Sequence, residues 1–475
     1  MDNVNKNIIQ KTIVDLHYNG SRDAFGLQKE IGDWCNLKLS PGIEEVLEKY
    51  AANREYIRIE KLELEINVAG KENWLADLSK QVSALLHEKL SGLSLKKEQG
   101  FSYSEQTKEQ NFFEAFTLFL KTGHLPWWSG IKTRDQFSAA FSSWIKKNLD
   151  GNSKTVMYNL SADETIQQRI TDQLSRDEFF NLMGQLYAEA ANEMIKLKND
   201  IFHLIPLLPV EKRSMTEIKI KRSFWMQSAK RDKIEALKKV AEDFYAAIIS
   251  SSGSANKINR VQLESGILKQ ELKKLKGDNK KVSTTKTTTT HDTPGTERKE
   301  KDADPEKVKT GESIYINNAG LIIIAPFLPA FFKKLGITEA DKIINKNPAA
   351  CLINYLADGR EDIAEFELVL AKILCGIDIK TPVSTSIVFG NDQKNEVHEL
   401  LLSVIEYWNI LKDTSPEGLQ QSFLQREGKL TFSNNEWLLQ VEQKGYDMLL
   451  QHLPWNISMI KLPWMKYLLK TEWIY

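Results

Sequence analysis

The chain has 475 residues, which is too long for one ordinary hydrophobic core and predicts two or three domains. Apolar residues make up 41% and charged residues 27%, as is usual for soluble globular proteins. Lys plus Arg and Asp plus Glu number 64 each, so the chain lacks the net positive charge that favours general binding to phosphate backbones. No nucleic acid is therefore expected as a partner.

Residues 1–95 are predicted to form a β-α-α-β module with an exit helix. Alternating apolar residues predict strands over 8–18 and 56–68, and apolar residues at helical spacing predict helices over 22–37, 41–50 and 74–90. Pairing of the two strands gives a small antiparallel sheet backed by helices. The parity of the second strand changes near Glu60, which indicates a bulge or bend.

Residues 105–275 are predicted to form a helical middle region. Helical patterns cover about 112–120, 135–149, 161–172, 176–206 and 229–250. Basic residues surround Phe224 and Trp225 within 219–233, which is typical of a solvated helix face or of a local basic patch. Residues 276–312 are rich in Lys, Thr and charge, and we interpret them as a flexible linker.

Residues 313–475 are predicted to form a C-terminal α+β domain. Its helices are expected over about 339–356, 362–374 and 393–411, its hairpin strands over 428–432 and 437–442, and further strands over 457–462 and 469–473. The apolar run 321–332 is broken by two prolines and is too short to span a bilayer. A buried or partner-facing segment is favoured, without stable membrane insertion. The fold class is therefore α+β, predominantly helical.

Three Leu-Pro-Trp units are the most distinctive motifs. Proline fixes φ and removes a donor, so each unit marks a boundary of regular structure, while tryptophan supplies large apolar area for a core or for a partner. Arg426 and Glu427, beside the hairpin, are expected to form a buried or interfacial pair. The candidate partner-binding residues are Leu125, Pro126, Trp127, Trp128, Arg426, Glu427, Pro454, Trp455, Pro463, Trp464 and Trp473.

The sequence contains no catalytic constellation that we recognise. Phosphate-binding loops, nucleotide fingerprints, metalloprotease helices and nucleophile elbows are absent, and the seven histidines are scattered. Glu365 and Glu367 suit helix caps and surface pairs better than acid–base catalysis. Cys35, Cys351 and Cys375 form no close pair, which argues against a zinc site. We expect no enzyme activity, no catalytic residues, no cofactor and no metal.

Stretches at both ends of the chain resemble the contractile injection system tape measure protein family, which is encoded with phage-tail-like extracellular particles such as antifeeding prophages and Photorhabdus virulence cassettes. In the first 130 residues the matching stretches are 9–11, 24–28, 57–64 and 119–128. In the C-terminal domain they are 318–321, 325–329, 355–360, 370–376, 423–430, 453–465 and 472–473. Their shared order along one chain carries the resemblance.

The resemblance implies a structural protein that helps to set inner-tube length and to initiate tube assembly at the baseplate. It implies inner-tube and baseplate proteins as partners, and an oligomer in the tube lumen is compatible with it. The polar N-terminus without a signal peptide and the lack of a disulfide framework predict a reducing cytosol as the place of synthesis. Together with the resemblance, this implies assembly in the bacterial cytoplasm, and the inner-tube lumen of the released particle is a further expected location. A folded chaperone or adaptor that binds tube, baseplate or cargo without setting length is the alternative.

Overall fold

The computed structural model describes residues 7, 9, 12–18, 23–51, 56–59, 61–68, 74–93, 103–147, 149–249, 261–278 and 313–473. The chain divides into two compact units, unit 1 (Met1–Glu114) and unit 2 (Ala115–Tyr475). The predicted linker lies outside the described residues apart from 276–278, which end a helix.

Unit 1 contains helices and one two-stranded sheet. The helices are α1 (Ala24–Trp34), α2 (Ser40–Ala51) and α3 (Trp74–Leu93), and a π-helical turn, Cys35–Leu39, joins the first two. Strands β1 (Tyr56–Ile59) and β2 (Tyr103–Gln106) pair antiparallel. The carboxylate of Asp23 accepts the amide N–H of Gly26 at 2.8 Å, which caps α1. Helix α4 (Lys108–Thr122) begins in unit 1.

The core of unit 1 lies between its helices and the extended segment 61–68. Every second side chain of this segment is half-buried and the intervening ones are exposed. Leu64 packs against both small clusters of buried residues, whose members are Trp34, Leu39 and Val82 in one and Val46, Leu86 and Leu90 in the other. The alternation predicted from the sequence is thus present, and its apolar face rests on helices.

The predicted pairing of the strands at 8–18 and 56–68 is wrong. Residues 12–18 form no strand, and all seven are exposed, so neither face of this segment is buried. Tyr56–Ile59 pairs with Tyr103–Gln106 instead. Residues 61–68 bury their apolar face on helices. An alternating pattern shows that one face of a segment is buried, but it does not show what covers that face.

Unit 2 consists of a helical part, the described residues of 115–278, and a C-terminal part, 313–473. After α4, the helical part contains α5 (Arg134–Lys146), α6 (Gly151–Leu160), α7 (Glu164–Gln173), α8 (Arg176–Leu186), α9 (Ala191–Leu204), α10 (Val210–Gln227), α11 (Lys233–Ile249) and α12 (Gly266–Asp278). Capping defines several starts. Asp163 accepts the amide of Ile166, and Ser175 and Glu178 form a capping box.

The C-terminal part surrounds a mixed sheet of five strands. The strands are β3 (Ser313–Ile316), β6 (Gly428–Ser433), β7 (Glu436–Val441), β8 (Met459–Ile460) and β9 (Leu468–Glu472), and their order is β3-β6-β7-β9-β8. Strands β7 and β9 are parallel, and the other neighbours are antiparallel. A separate short hairpin joins β4 (Thr338–Glu339) and β5 (Lys342–Ile343). The helices are α13 (Leu328–Lys334), α14 (Lys346–Asp358), α15 (Val369–Leu374), α16 (Asn391–Tyr407) and α17 (Pro416–Leu419).

The predicted hairpin is confirmed. Its two turn residues, Asn434 and Asn435, both have positive φ, 52° and 61°, as a two-residue turn of this hand requires. Thr431 lies opposite Leu438, so the alternating rows of both strands are in register.

The apolar run predicted to be buried or partner-facing is buried. It forms a 3₁₀-helical segment, Ala319–Phe327, followed by α13, and Leu321 to Ala325 lie in the main core. Among the described residues no helix is both long and apolar enough to cross a membrane. The fold class is confirmed as α+β and predominantly helical.

Candidate partner-binding site

The first Leu-Pro-Trp unit forms a tight turn between α4 and α5. Leu125 and Pro126 are buried, and Trp127 and Trp128 are half-buried within the 3₁₀ turn Trp127–Ser129. Gly123 precedes this turn with φ 81°. At this φ a side chain is strained, and a Cβ atom there would lie 2.6 Å from the carbonyl oxygen of Ile379.

The second unit places its tryptophan over the buried apolar segment. The indole N–H of Trp455 donates to the carbonyl oxygen of Ile323 at 2.9 Å, and its ring meets Phe327 edge-on at 5.0 Å between centroids. Pro454 remains exposed. Trp455 therefore satisfies its own polar group within the molecule, as buried or half-buried tryptophans usually do.

The third unit repeats this arrangement at another place. Trp464 donates its indole N–H to the carbonyl oxygen of Leu374 at 2.7 Å, and its ring packs on Phe332 at 5.5 Å. Pro463 is exposed. Gly376, with φ 64°, has no room for a side chain, because a Cβ atom would lie 2.3 Å from the carbonyl oxygen of Trp464. Trp455 and Trp464 thus pack on the core formed by 319–334 and α15.

Arg426 and Trp473 meet at one buried carboxylate. The guanidinium of Arg426 donates to Oδ1 of Asp447 at 2.5 Å, and the indole N–H of Trp473 donates to Oδ2 at 2.9 Å. The amide of Lys444 also donates to Oδ2, at 2.8 Å. Arg426, Asp447 and Trp473 are all buried. The predicted Arg426–Glu427 pair is therefore wrong, since Glu427 pairs with Lys132 instead.

The eleven candidate residues consequently do not form one surface. Arg426 and Trp473 lie inside the C-terminal part, Trp455 and Trp464 cover two places on its core, and 125–128 lie in the turn after α4. Glu427, Pro454 and Pro463 are the exposed members among them. A partner that contacts all of these motifs at once therefore has no common face to bind.

Sequence reasoning missed the most deeply buried charged cluster in the described part of the chain. Arg169 on α7 forms a two-bond contact with Glu365: Nε donates to Oε2 at 2.9 Å and an Nη atom donates to Oε1 at 3.1 Å. Lys372 donates to the same Oε1 at 2.5 Å. All three side chains are completely buried.

Main-chain carbonyls complete the cluster. Arg169 also donates to the carbonyl oxygens of Leu120 at 2.6 Å and Lys380 at 2.7 Å. Lys372 donates to those of Ile379 and Thr381, each at 2.9 Å. Burial lowers the pKa of Lys372, and the carboxylate of Glu365 opposes this effect. The carbonyl and carboxylate oxygens thus hold the two cations in fixed positions, and no free nucleophile or base remains among them.

His124 lies beside this cluster. It is buried, and its Nδ1 lies 3.4 Å from the carbonyl oxygen of Leu125. The pKa of His124 is lowered to about 4, mainly by burial and in part by the positive charges of Lys372, Arg169 and Lys380, against a raising effect of the Leu125 carbonyl. His124 is therefore neutral at pH 7, which limits the positive charge buried here.

The sequence contained only a weak signal for this cluster. Glu365 was expected, with Glu367, to cap a helix or to pair at the surface. Glu367 does so: it accepts the amide of Ala364 at 2.9 Å and pairs with Arg360 at 2.6 Å. Glu365 instead forms an ion pair with Arg169, which is 196 residues away in the chain. No local pattern encodes such a pair.

The aromatic residues of 219–233 do not join the exposed basic residues in a surface patch. Phe224 and Trp225 are completely buried, and Lys221 lies between helices, where its ammonium donates to the carbonyl oxygens of Thr171 and Leu174 at 3.3 and 3.2 Å. Lys221 thus caps the end of α7.

The described residues contain no group of three or more metal-ligating side chains. A cleft of about 200 Å³ lies between α14, α16 and α17, and its lining includes Tyr355, His398, Glu417 and Gln420. It is open to solvent and more polar than apolar, whereas small-molecule sites are mostly apolar.

Comparison with known proteins identifies the family. A model of the contractile injection system tape measure proteins matches residues 6–473. No curated protein and no solved structure matches the chain. The family match includes all three Leu-Pro-Trp units, the buried Arg169 cluster and every described residue of both units. The chain belongs to the contractile injection system tape measure protein family.

Proposed function

We propose that this protein helps to set the length of the inner tube of a contractile injection particle and to initiate tube assembly at the baseplate. The observation that carries the proposal is the family match, which runs through both compact units rather than through one of them. In this proposal the chain acts in the bacterial cytoplasm during assembly, without catalysis or cofactor, and stays in the tube lumen. Its partners are the tube and baseplate proteins.

Length control is physically feasible for a chain of this size. A continuous α-helix of 475 residues would reach about 700 Å at 1.5 Å per residue. An extended chain would reach farther, at roughly 3.3 Å per residue. In the structure the helices of each unit pack against one another and do not form one continuous helix. A ruler mechanism therefore requires the units to open during loading.

Insertions within 279–312 test the ruler without changing any described residue. Blocks of 20 and 40 residues with the composition of this segment should lengthen the tube by about 30–65 Å and 60–130 Å, from the two rises per residue given above. Tube length is measured by electron microscopy of purified particles. A matched control places the same block after residue 473, beyond the family match. Constant tube length across the insertion series contradicts the ruler.

A folded adaptor is the second candidate, and the internal bonding of the tryptophans favours it. Trp455 and Trp464 use their N–H groups on carbonyls of the chain itself, so the C-terminal part is built to remain folded. In this case the exposed residues Glu427, Pro454 and Pro463 are the partner contacts. Replacing these three by Ala should weaken binding to tube or baseplate proteins while far-UV circular dichroism stays unchanged. Unchanged binding by this variant contradicts the adaptor surface.

A further inference from the structure

The Arg169, Glu365 and Lys372 side chains, called here the charged seam, join the helical and C-terminal parts of unit 2. Arg169 belongs to α7, whereas Glu365 and Lys372 flank the start of α15. Gln173 extends the contact: its side chain accepts the amide of Glu365 at 2.8 Å and donates to the carbonyl of Val383 at 3.2 Å. The seam is thus a polar layer with a complete set of hydrogen bonds to its carboxylate.

Apolar cores lie on both sides of this polar layer. In the helical part, Phe179, Tyr187 and Phe224 are completely buried. In the C-terminal part, the main core includes Leu352 and the 3₁₀ segment Ala319–Phe327. A small aromatic contact also crosses the seam, because Phe366 packs on Phe119 and Phe137 at 5.6 and 5.8 Å. Each part therefore has buried apolar residues of its own.

The energetics of the seam differ from those of the cores. It buries two cations with one carboxylate, and removal of charges from water offsets most of their attraction. When the seam opens, water solvates these charges again, whereas opening of either core only exposes apolar surface. We therefore expect a lower free energy of opening at the seam than in either core.

We propose that the charged seam is a latch, and that unit 2 opens along it into a helical part and a C-terminal part that both remain folded. Opening separates Arg169 from Glu365 and uncovers the aromatic contact at Phe366. The fixed bonds to main-chain carbonyls give the closed state one defined geometry, a role that buried ion pairs have in some proteins. This inference does not rest on the proposed function, because it concerns the purified chain alone.

Hydrogen exchange measured by mass spectrometry on the full chain tests the latch. Peptides that cover 118–125 and 365–381 should exchange together, and at least tenfold faster than peptides from the cores at 179–187 and 349–357. Exchange of the seam peptides at the core rates would overturn the proposal.

Two glycines provide a matched pair of variants. Gly123→Ala inserts a Cβ atom 2.6 Å from the Ile379 oxygen and 2.8 Å from Oε1 of Glu365, so it should speed exchange at the seam at least tenfold. Gly130→Ala has a similar positive φ, 68°, but meets nothing within 4 Å, and should leave seam exchange unchanged. Equal effects of both variants, or no effect of Gly123→Ala, contradict the latch.

Discussion

Trp473 donates its indole N–H to the carboxylate of Asp447, which is already bound to the guanidinium of Arg426. The three side chains are buried together at the end of β9. The ring of Tyr446 also lies 4.8 Å from the Arg426 guanidinium. The last described residue of the chain is thereby attached to the hairpin and to the 3₁₀ segment Asp447–His452.

Asp447→Ala should destabilise unit 2 strongly. The substitution leaves Arg426 buried without its counter-ion, and breaking one side of a buried pair costs about 3–5 kcal/mol. Urea unfolding followed by tryptophan fluorescence measures the loss. Glu442→Ala is a suitable control, because the Glu442 carboxylate is 45% exposed in its pair with Lys444 and should contribute less than about 1 kcal/mol. Similar losses for both variants contradict the role given to Asp447.

Gly376→Ala should be more harmful than Gly359→Ala. Both glycines have positive φ, 64° and 69°, so alanine strains the backbone equally at the two positions. Only at Gly376 does the new Cβ atom collide, with the carbonyl of Trp464 at 2.3 Å. The free energy of unfolding should fall by about 1–3 kcal/mol more for Gly376→Ala, as for other overpacked sites. Equal free energies for the two variants would show that Trp464 is not held against α15.

Acid should weaken unit 2 through His124. Its pKa is lowered to about 4 in the folded state from 6.5, so the unfolded chain binds the additional proton first as the pH falls. The free energy of unfolding therefore has its full value above about pH 6.5 and falls by roughly 3 kcal/mol as the pH is lowered to about 4.

His124→Gln should remove this part of the pH dependence, whereas replacement of the exposed His452 by Gln should keep it. The free energy of unfolding in urea, measured at half-unit steps of pH, checks both statements. The same slope between pH 4 and 6.5 in His124→Gln and in the unmodified protein excludes His124 as the cause.

Cysteine labelling should report whether unit 2 is open within particles. Burial raises the pKa of Cys351 to about 12 and that of Cys375 well above its ordinary value, and Cys35 is less buried than either. In the free protein at pH 8, a maleimide should modify Cys35 at least tenfold faster than the other two, since the thiolate is the reactive form. In denaturant the three rates should become similar.

In purified particles, rapid modification of Cys351 and Cys375 is expected if the chain is extended as a ruler. Protection of both, at the rates of the free protein, supports the folded adaptor instead. Peptide mass spectrometry of the labelled particles measures all three sites in one experiment, with denatured particles as the reference for full reactivity.

Local patterns in the sequence were sufficient for the hairpin and for most helices. Ser433-Asn434-Asn435-Glu436 predicts the turn because asparagine tolerates positive φ. These features depend only on neighbouring residues. The fold class followed from them, since strands cluster near the end of a mainly helical chain.

Contacts between distant residues could not be predicted in this way. Arg426 was assigned to its neighbour Glu427, but a buried guanidinium binds the carboxylate that the fold brings to it, here that of Asp447. The predicted strand pairing in unit 1 is wrong for a related reason, because helices cover the apolar face of 61–68. The sequence left the tryptophans open as core residues or partner anchors, and the bonds of Trp455 to Ile323 and of Trp464 to Leu374 place both rings on the core.

Because of the position of β9, unit 2 resists a pull on its C-terminal end more strongly than a pull on its N-terminal end. This strand lies inside the sheet, parallel to β7 on one side and antiparallel to β8 on the other, and Trp473 is anchored at its end. A pull on the C-terminus loads both rows of hydrogen bonds along the strand, so they must break together in shear. A pull from the N-terminal side reaches α4 and the helices first, and these can unravel one turn at a time. Threading that begins at the N-terminus therefore needs less force than threading that begins at the C-terminus.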